Sequence, residues 1–162
     1  ILKSVTQLNN VADAFKAAQR LVDIATEDAK AAAEIRDEKE QDELAQAYGK
    51  GATGRGMASG GSKALKELEK EQKTRTTRMV RDSLDAALLD IATLYRDIMM
   101  VQSGHIDALI NLEMAQEINA IANVVPPHKT IQRLDAAMKA RKALGFNAAP
   151  LLTIEALMCE LV

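Results

Sequence analysis

Residues 62–102 run for 41 positions without a proline or a glycine. No other feature limits the fold so strongly. A stretch of that length with no helix breaker predicts one helix about 60 Å long, at 1.5 Å per residue, with Ser62 as its N-cap. Its two halves differ in character. From Leu84 onward, Leu84, Leu88, Ile91, Leu94, Tyr95 and Ile98 recur every three or four residues, the period of a face laid against other helices. That half is predicted to be core. Residues 70–78 hold no large apolar side chain, and residues 63–81 carry seven Lys or Arg against three Glu. That half must face water or a charged partner.

A chain of 162 residues, 48% apolar and 27% charged, can bury one substantial core. Two Phe, two Tyr and no Trp make that core aliphatic and leave few rings on which single-stranded bases could stack. Ala, Leu, Glu, Lys and Arg dominate over β-branched residues, so the fold class is all-α, a bundle of five to six helices with one long helical hairpin. A net charge of -2 exerts no global pull on nucleic acid or an acidic membrane. No apolar run approaches the length of a membrane span, and no signal peptide is visible. The single Cys159 lies in an apolar run, where a buried thiol is expected, and a reducing, cytoplasmic setting fits it. The chain opens on Ile1 and directly on a patterned segment, which suggests a piece of a longer protein.

Asn10 is placed to cap a first helix on which Val11, Ala14, Phe15, Ala18, Leu21, Val22 and Ala25 share a face. A second helix, continuing from the first or restarting near Thr26, is acidic: residues 27–43 hold eight acidic and three basic side chains. Residues 49–61 then place six glycines in 13 positions, too many for a helix, and predict a flexible connection. The return would set the acidic run opposite the basic one, with Leu44 and Tyr48 beside Leu65 and Leu68. Further helices are expected over about 112–123, with Leu112, Ala115, Ile118 and Ile121 or Ala122 inward, and over about 128–144, ended by Gly145. The last begins at Pro150 and is apolar nearly all round, hence central or covered by another chain. The whole reads as a single domain over 1–162.

Motifs for chemistry are weak. Gly49, Gly51 and Gly54 match a dinucleotide-turn spacing, but a charged helix precedes them where a strand is needed. Near residues 56–63 the order Gly61, Ser62, Lys63 misplaces the lysine of a phosphate loop. His105 and His128 have no second imidazole or thiol at ligand spacing, and no carboxylate pair or Ser, His and Asp set stands out. No catalytic residue, cofactor site or metal site is assigned. The basic run is the one serious candidate for ligand contact: Lys70, Lys73, Arg75, Arg78 and Arg81 could meet phosphates without reading bases.

The segment Lys66, Glu67, Leu68, Glu69, Lys70, Glu71, Gln72, Lys73, Thr74, Arg75, Thr76, Thr77, Arg78, followed by Arg81, Asp82, Leu84, Asp85, Leu88 and by Leu94, Tyr95, Arg96, Asp97, resembles the C-terminal region of the delta prime subunits of bacterial DNA polymerase III clamp loaders, in their actinobacterial form. Residues 147–158, Asn-Ala-Ala-Pro-Leu-Leu-Thr-Ile-Glu-Ala-Leu-Met, resemble the last helix of clamp-loader subunits more widely. With residues 131–141 the similarity spans roughly 63–162. The resemblance implies an all-α collar domain through which five subunits form a ring in DNA replication, below ATPase-like domains that are not in this sequence. It implies a non-catalytic oligomerisation role, with the collar domains of other clamp-loader subunits as partners. Such relatives often carry Asn-x-Asn-Pro where this chain has Asn147, Ala148, Ala149, Pro150, and loss of that cap costs about 1 kcal/mol.

A collar subunit needs two different faces, since a heterologous ring does not pair a patch with itself. Leu151, Leu152, Ile154, Leu157 and Met158 on the last helix, with Ile131 and Leu134 before it, are the candidate interface. The alternative is a helical nucleic-acid-binding domain using the basic residues 63–81. Limited proteolysis is expected to cut first between Gly49 and Gly61. Early cuts within residues 84–98, with the glycine-rich segment intact, would overturn this architecture.

Overall fold

The computed structural model describes residues 2–49 and 60–162 and is all-α: no strand occurs among them. Six helices follow in order, α1 (Leu2–Val5), α2 (Val11–Ala47), α3 (Gly61–Gln102), α4 (Ala115–Val124), α5 (Pro127–Gly145) and α6 (Pro150–Leu161). Two 3-10 turns, Ile106–Ala108 and Leu112–Met114, lie between α3 and α4. The expected long helix is α3. The glycine-rich connection and the two glycine-loop motifs fall mostly on residues 50–59, outside the described residues.

The described residues form two compact units, one built from residues up to Asp23 with Arg81–Val162, the other from Ile24–Val80. In the first, the α3 stripe is closed to solvent as expected: Leu84, Leu88, Ile91, Leu94 and Ile98 are fully buried. The same unit buries Ala14, Ala18 and Leu21 of α2, Ile118 of α4, Ala136, Ala137 and Ala140 of α5, and Ile154, Leu157 and Met158 of α6. Each fully buried Leu or Ile contributes roughly 1.5 to 3 kcal/mol of transfer free energy. Polar contacts fix α5 on α3. Arg141 donates from Nε and Nη2 to the two carboxylate oxygens of Asp85, at 2.9 and 2.8 Å, and Arg81 donates to the carbonyl of Leu144 in the last turn of α5.

The second unit is an antiparallel hairpin. On its α2 side the buried stripe is Ala25, Ala29 and Ala33, four residues apart and small enough for close approach. On its α3 side the buried residue is polar: Gln72 donates to the backbone carbonyl of Asp37 at 3.0 Å and to Glu40, and accepts from Gln41 at 2.8 Å. Arg75 pairs with Asp37 and Glu40. The acidic run therefore does lie opposite the basic one. Continuing the same register outward brings Leu44 level with Leu68 and Tyr48 with Leu65, and all four are half-buried.

Helix ends account for most departures from expectation. Asn10 caps α2 as predicted, its Oδ1 accepting the Asp13 N–H at 2.9 Å while its amide donates to the Asp13 carboxylate. The acidic helix proves to be a continuation of the first, with no restart near Thr26. Ser62 is not an N-cap: α3 starts at Gly61, and Gly60, at a φ of +94°, offers its carbonyl to the Ala64 N–H. Gly145 does not stop α5 either, since it is still helical and Asn147 takes the left-handed turn at φ 63°. The N–H groups of Asn147 and Ala148 then bond the carbonyls of Leu144 and Ala143, the paired closure of a Schellman motif. Asparagine tolerates that conformation better than most residues with a β-carbon.

Amphipathic faces are narrower than the periodicity suggested. Val11 and Phe15 of α2 stand largely in solvent, leaving an alanine-rich stripe to do the packing. Leu112 was expected inward but is exposed, because it opens a 3-10 turn whose inward positions go to Asn111 and Met114. Ile91 has no exposure and sits mid-stripe, so a charge there would be buried without a partner. Ile91→Asp is expected to cost more than about 4 kcal/mol and unfold the chain, whereas Ile91→Val costs about 1 kcal/mol. A thermal melt of the Asp variant matching the parent would show that the stripe is misassigned.

Candidate partner-binding surfaces

Most of α6's apolar side chains serve the chain's own core. Positions 154, 157, 158 and 161 are three or four residues apart and form one stripe, so Ile154, Leu157 and Met158 are buried within their own unit. This corrects the assignment of Ile154 and Met158 to an exposed interface, while Leu157, though buried, contributes to the lining of the neighbouring groove. Of the other candidates, Leu152 is 67% exposed and Ile131 47%, while Leu151 and Leu134 are half-buried. Beside Leu152 a groove of about 410 Å³ is lined by six alanines, Ala136, Ala140, Ala143, Ala148, Ala149 and Ala156, together with Lys139 and Glu160. Its floor is low because α5 and α6 meet through small side chains. Ala149 is the N-cap of α6 and has no polar side chain to offer the helix N–H groups, so this helix start carries no side-chain cap.

Two members of the basic run, Arg75 and Arg81, are engaged within the chain. Glu40 and Asp37 raise the Arg75 guanidinium above its ordinary range, and Arg75, Arg36 and Gln72 together hold the Glu40 carboxyl at about 2. Arg81 is taken up by the Leu144 carbonyl. Lys70, Lys73 and Arg78 remain exposed, so three of the five proposed phosphate contacts are open to a ligand. Arg75 is excluded by its two carboxylates, whose removal would be needed first.

The residue that sequence reasoning missed is Asp97. It lies on α3 with no exposure, in phase with the apolar stripe three residues after Leu94. Four N–H groups converge on its carboxylate: the Ile110 amide at 3.0 Å, the Asn111 amide and the Asn111 side chain each at 2.8 Å, and Arg96 at 2.7 Å. Arg96 also donates to the Ala108 carbonyl. Burial pushes this carboxyl up, but the Asn111 amide, Arg96, the Asn111 side chain and the Ile110 amide together reverse it, and it lies below the ordinary carboxylate range. A charged residue in apolar phase, with an asparagine beyond the next helix stop, is the signal that could have revealed it.

Among the described residues no group of three or more His, Cys, Asp or Glu is placed to hold a metal ion, and His105 and His128 are both exposed. Cys159 is half-buried, less enclosed than its apolar neighbours suggested, and lines a shallow cleft with Lys129, Gln132, Asp135 and Lys139. Among the described residues no helix is long and apolar enough to cross a membrane. No protein-family model, curated protein or solved structure matches the chain.

Asp97 sets a pH dependence with a definite sign. A carboxyl whose folded pKa is depressed stabilises the fold fully above its unfolded value, near 3.9, and that contribution disappears as pH falls through the folded value. Asp97→Asn, which leaves amide donors facing an NH₂ group, is expected to cost about 2 to 4 kcal/mol at pH 7. The gap between variant and parent melting temperatures should close as pH drops from about 5 towards 2. A gap independent of pH would mean that the carboxylate charge is not what the site uses.

Proposed function

We propose that this chain is a non-catalytic oligomerisation module, the collar domain of a DNA polymerase III clamp-loader subunit of the delta prime type, acting in the cytoplasm during DNA replication. The observation that carries this reading is the apolar surface left on α5 and α6. Leu152 stands 67% exposed beside an alanine-lined groove, on the helix whose sequence resembles the close of clamp-loader subunits. Small residues on a groove floor let a neighbouring helix approach closely, and an exposed leucine beside it is a natural anchor for a hydrophobic contact. The all-α architecture and the long α3 are compatible with a collar. The partners are the C-terminal domains of the other subunits of the ring.

The alternative, a nucleic-acid-binding domain, retains Lys70, Lys73 and Arg78 as exposed cations. It is weaker because Arg75 and Arg81 are engaged within the chain and Glu67, Glu69 and Glu71 interleave the run. A face so nearly neutralised would release few counterions.

The chain is expected to bind the C-terminal domain of at least one other clamp-loader subunit at physiological salt. Leu152→Glu should abolish that contact while changing stability by less than about 0.5 kcal/mol, as befits an exposed site. The checks are a pull-down with purified domains and a thermal melt. No binding by the folded chain to any of them would overturn the reading, and DNA binding at micromolar strength with a steep salt slope, lost on mutating Lys70, Lys73 and Arg78, would favour the alternative.

A further inference from the structure

The groove between α5 and α6 holds a protrusion and a depression on one surface. Leu152 stands 67% exposed on the α6 wall, and the floor beside it is alanine, Ala140 and Ala143 from α5 and Ala156 from α6. A surface with a depression alone needs a partner that protrudes. One with both can meet a copy of itself, provided residue i of each copy reaches residue j of the other, which is the condition for an isologous contact.

Two hydrogen bonds fix the levels of these features along the groove. Arg133 of α5 donates to the Val162 carbonyl at one end, and the Ala148 amide bonds the Ala143 carbonyl at the other. The helices are therefore antiparallel, and Leu152 lies level with the turn from Ala140 to Ala143. Towards the opposite end the rim is charged, with Lys139 on the α5 wall and Glu160 on the α6 wall, about one helical turn apart in level. Both are exposed, and among the described residues neither has an ion pair within the chain. The two walls thus carry opposite charges that the chain itself leaves uncombined.

A two-fold axis running along the groove satisfies shape and charge together. It lays α6 of each copy over α5 of the other and leaves every level unchanged, so Leu152 of each copy meets Ala140 and Ala143 of the other. The same rotation sets Lys139 of each copy against Glu160 of the other. Small side chains permit close approach of the helices, the two leucines are the central anchors, and the two ion pairs form a polar rim. We propose that the α5–α6 groove is a homodimer interface, and that its occupant is a second copy of this chain. The dimer requires no ring subunit and goes beyond the collar reading. Where that reading also holds, one surface serves both contacts, and each excludes the other.

Sedimentation velocity on the whole chain alone, over a concentration series reaching the millimolar range, is the test. The parent is expected to pass from monomer to dimer, and Leu152→Glu to remain monomeric while melting with the parent. Lys139→Glu and Glu160→Lys each bring like charges together across the two-fold axis and should weaken self-association several-fold. An equimolar mixture of those two variants has attraction at both pairs, so it should form heterodimers as readily as the parent forms its dimer. A parent that stays monomeric throughout overturns the proposal and leaves the collar reading to its own pull-down. So does a dimer that Leu152→Glu leaves intact, since the contact then lies elsewhere, or a mixture that associates no better than either charge variant alone. Growth beyond a dimer would reveal an open, heterologous contact and overturn the two-fold arrangement.

Discussion

A single buried carboxylate determines how this chain turns the corner after its longest helix. Asp97 is on the core side of α3, and leaving it there uncompensated would cost several kcal/mol. The chain after Gly104 is folded so that its amides meet that charge: Ile110 and Asn111 point their N–H groups at it, and Asn111 adds its side-chain amide. The route of the link, the 3-10 turns on either side of it and the inward seat of Met114 follow from this requirement. The apolar stripe of α3 supplies most of the burial, but it has no means of choosing a loop path. A charge with four converging donors does.

Helix ends repeat the same principle with weaker groups. The last turn of α3 closes with Gly104 in the left-handed region and the His105 and Gly104 amides on the Met100 and Val101 carbonyls. Gln102 reaches from that end to donate to the Ala122 and Val125 carbonyls at the close of α4. Arg81 does the same for α5 through Leu144. Gln102 thus completes carbonyls at the close of α4, and Arg81 adds a donor to a Leu144 carbonyl that already accepts the Asn147 N–H, which is how one long helix organises its unit beyond apolar packing.

The parts legible in the sequence were those governed by period. The α3 stripe, the existence of α5 and α6, the start at Pro150 and the Asn10 cap all follow from spacing or from a residue with one strong local preference. The illegible parts depended on which of several equivalent positions tertiary structure selects. Val11 and Phe15 share a helical face with Ala14 and Ala18, yet only the alanines are enclosed, because the depth of a face is set by what packs on it. On α6 the candidate residues Ile154, Leu157 and Met158 differ from Leu152 only in phase, and phase relative to the core is not written in a helix that is apolar nearly all round. Gly145 and Asn147 were both competent to end α5, and the position of the last backbone bonds decided between them.

The hairpin unit shows the opposite balance of forces. Its α2 stripe is alanine, which buries little area, and its α3 stripe continues the apolar phase with Gln72 and Arg75 where a core helix would carry leucine. Exposed ion pairs contribute about 0 to 1 kcal/mol each, so these contacts do not compensate for the missing apolar area. What they supply is register. Alanine stripes pack nearly as well after a slip of one turn, since each position is equivalent to the next. Gln72 and Arg75 are not equivalent to their neighbours: a slip would take Gln72 off the Asp37 carbonyl and Arg75 off the Asp37 and Glu40 carboxylates, and would leave the half-buried guanidinium unpaired. The polar seam therefore selects one alignment out of several that the small residues alone would permit, which is the best-attested service of polar groups at helix seams.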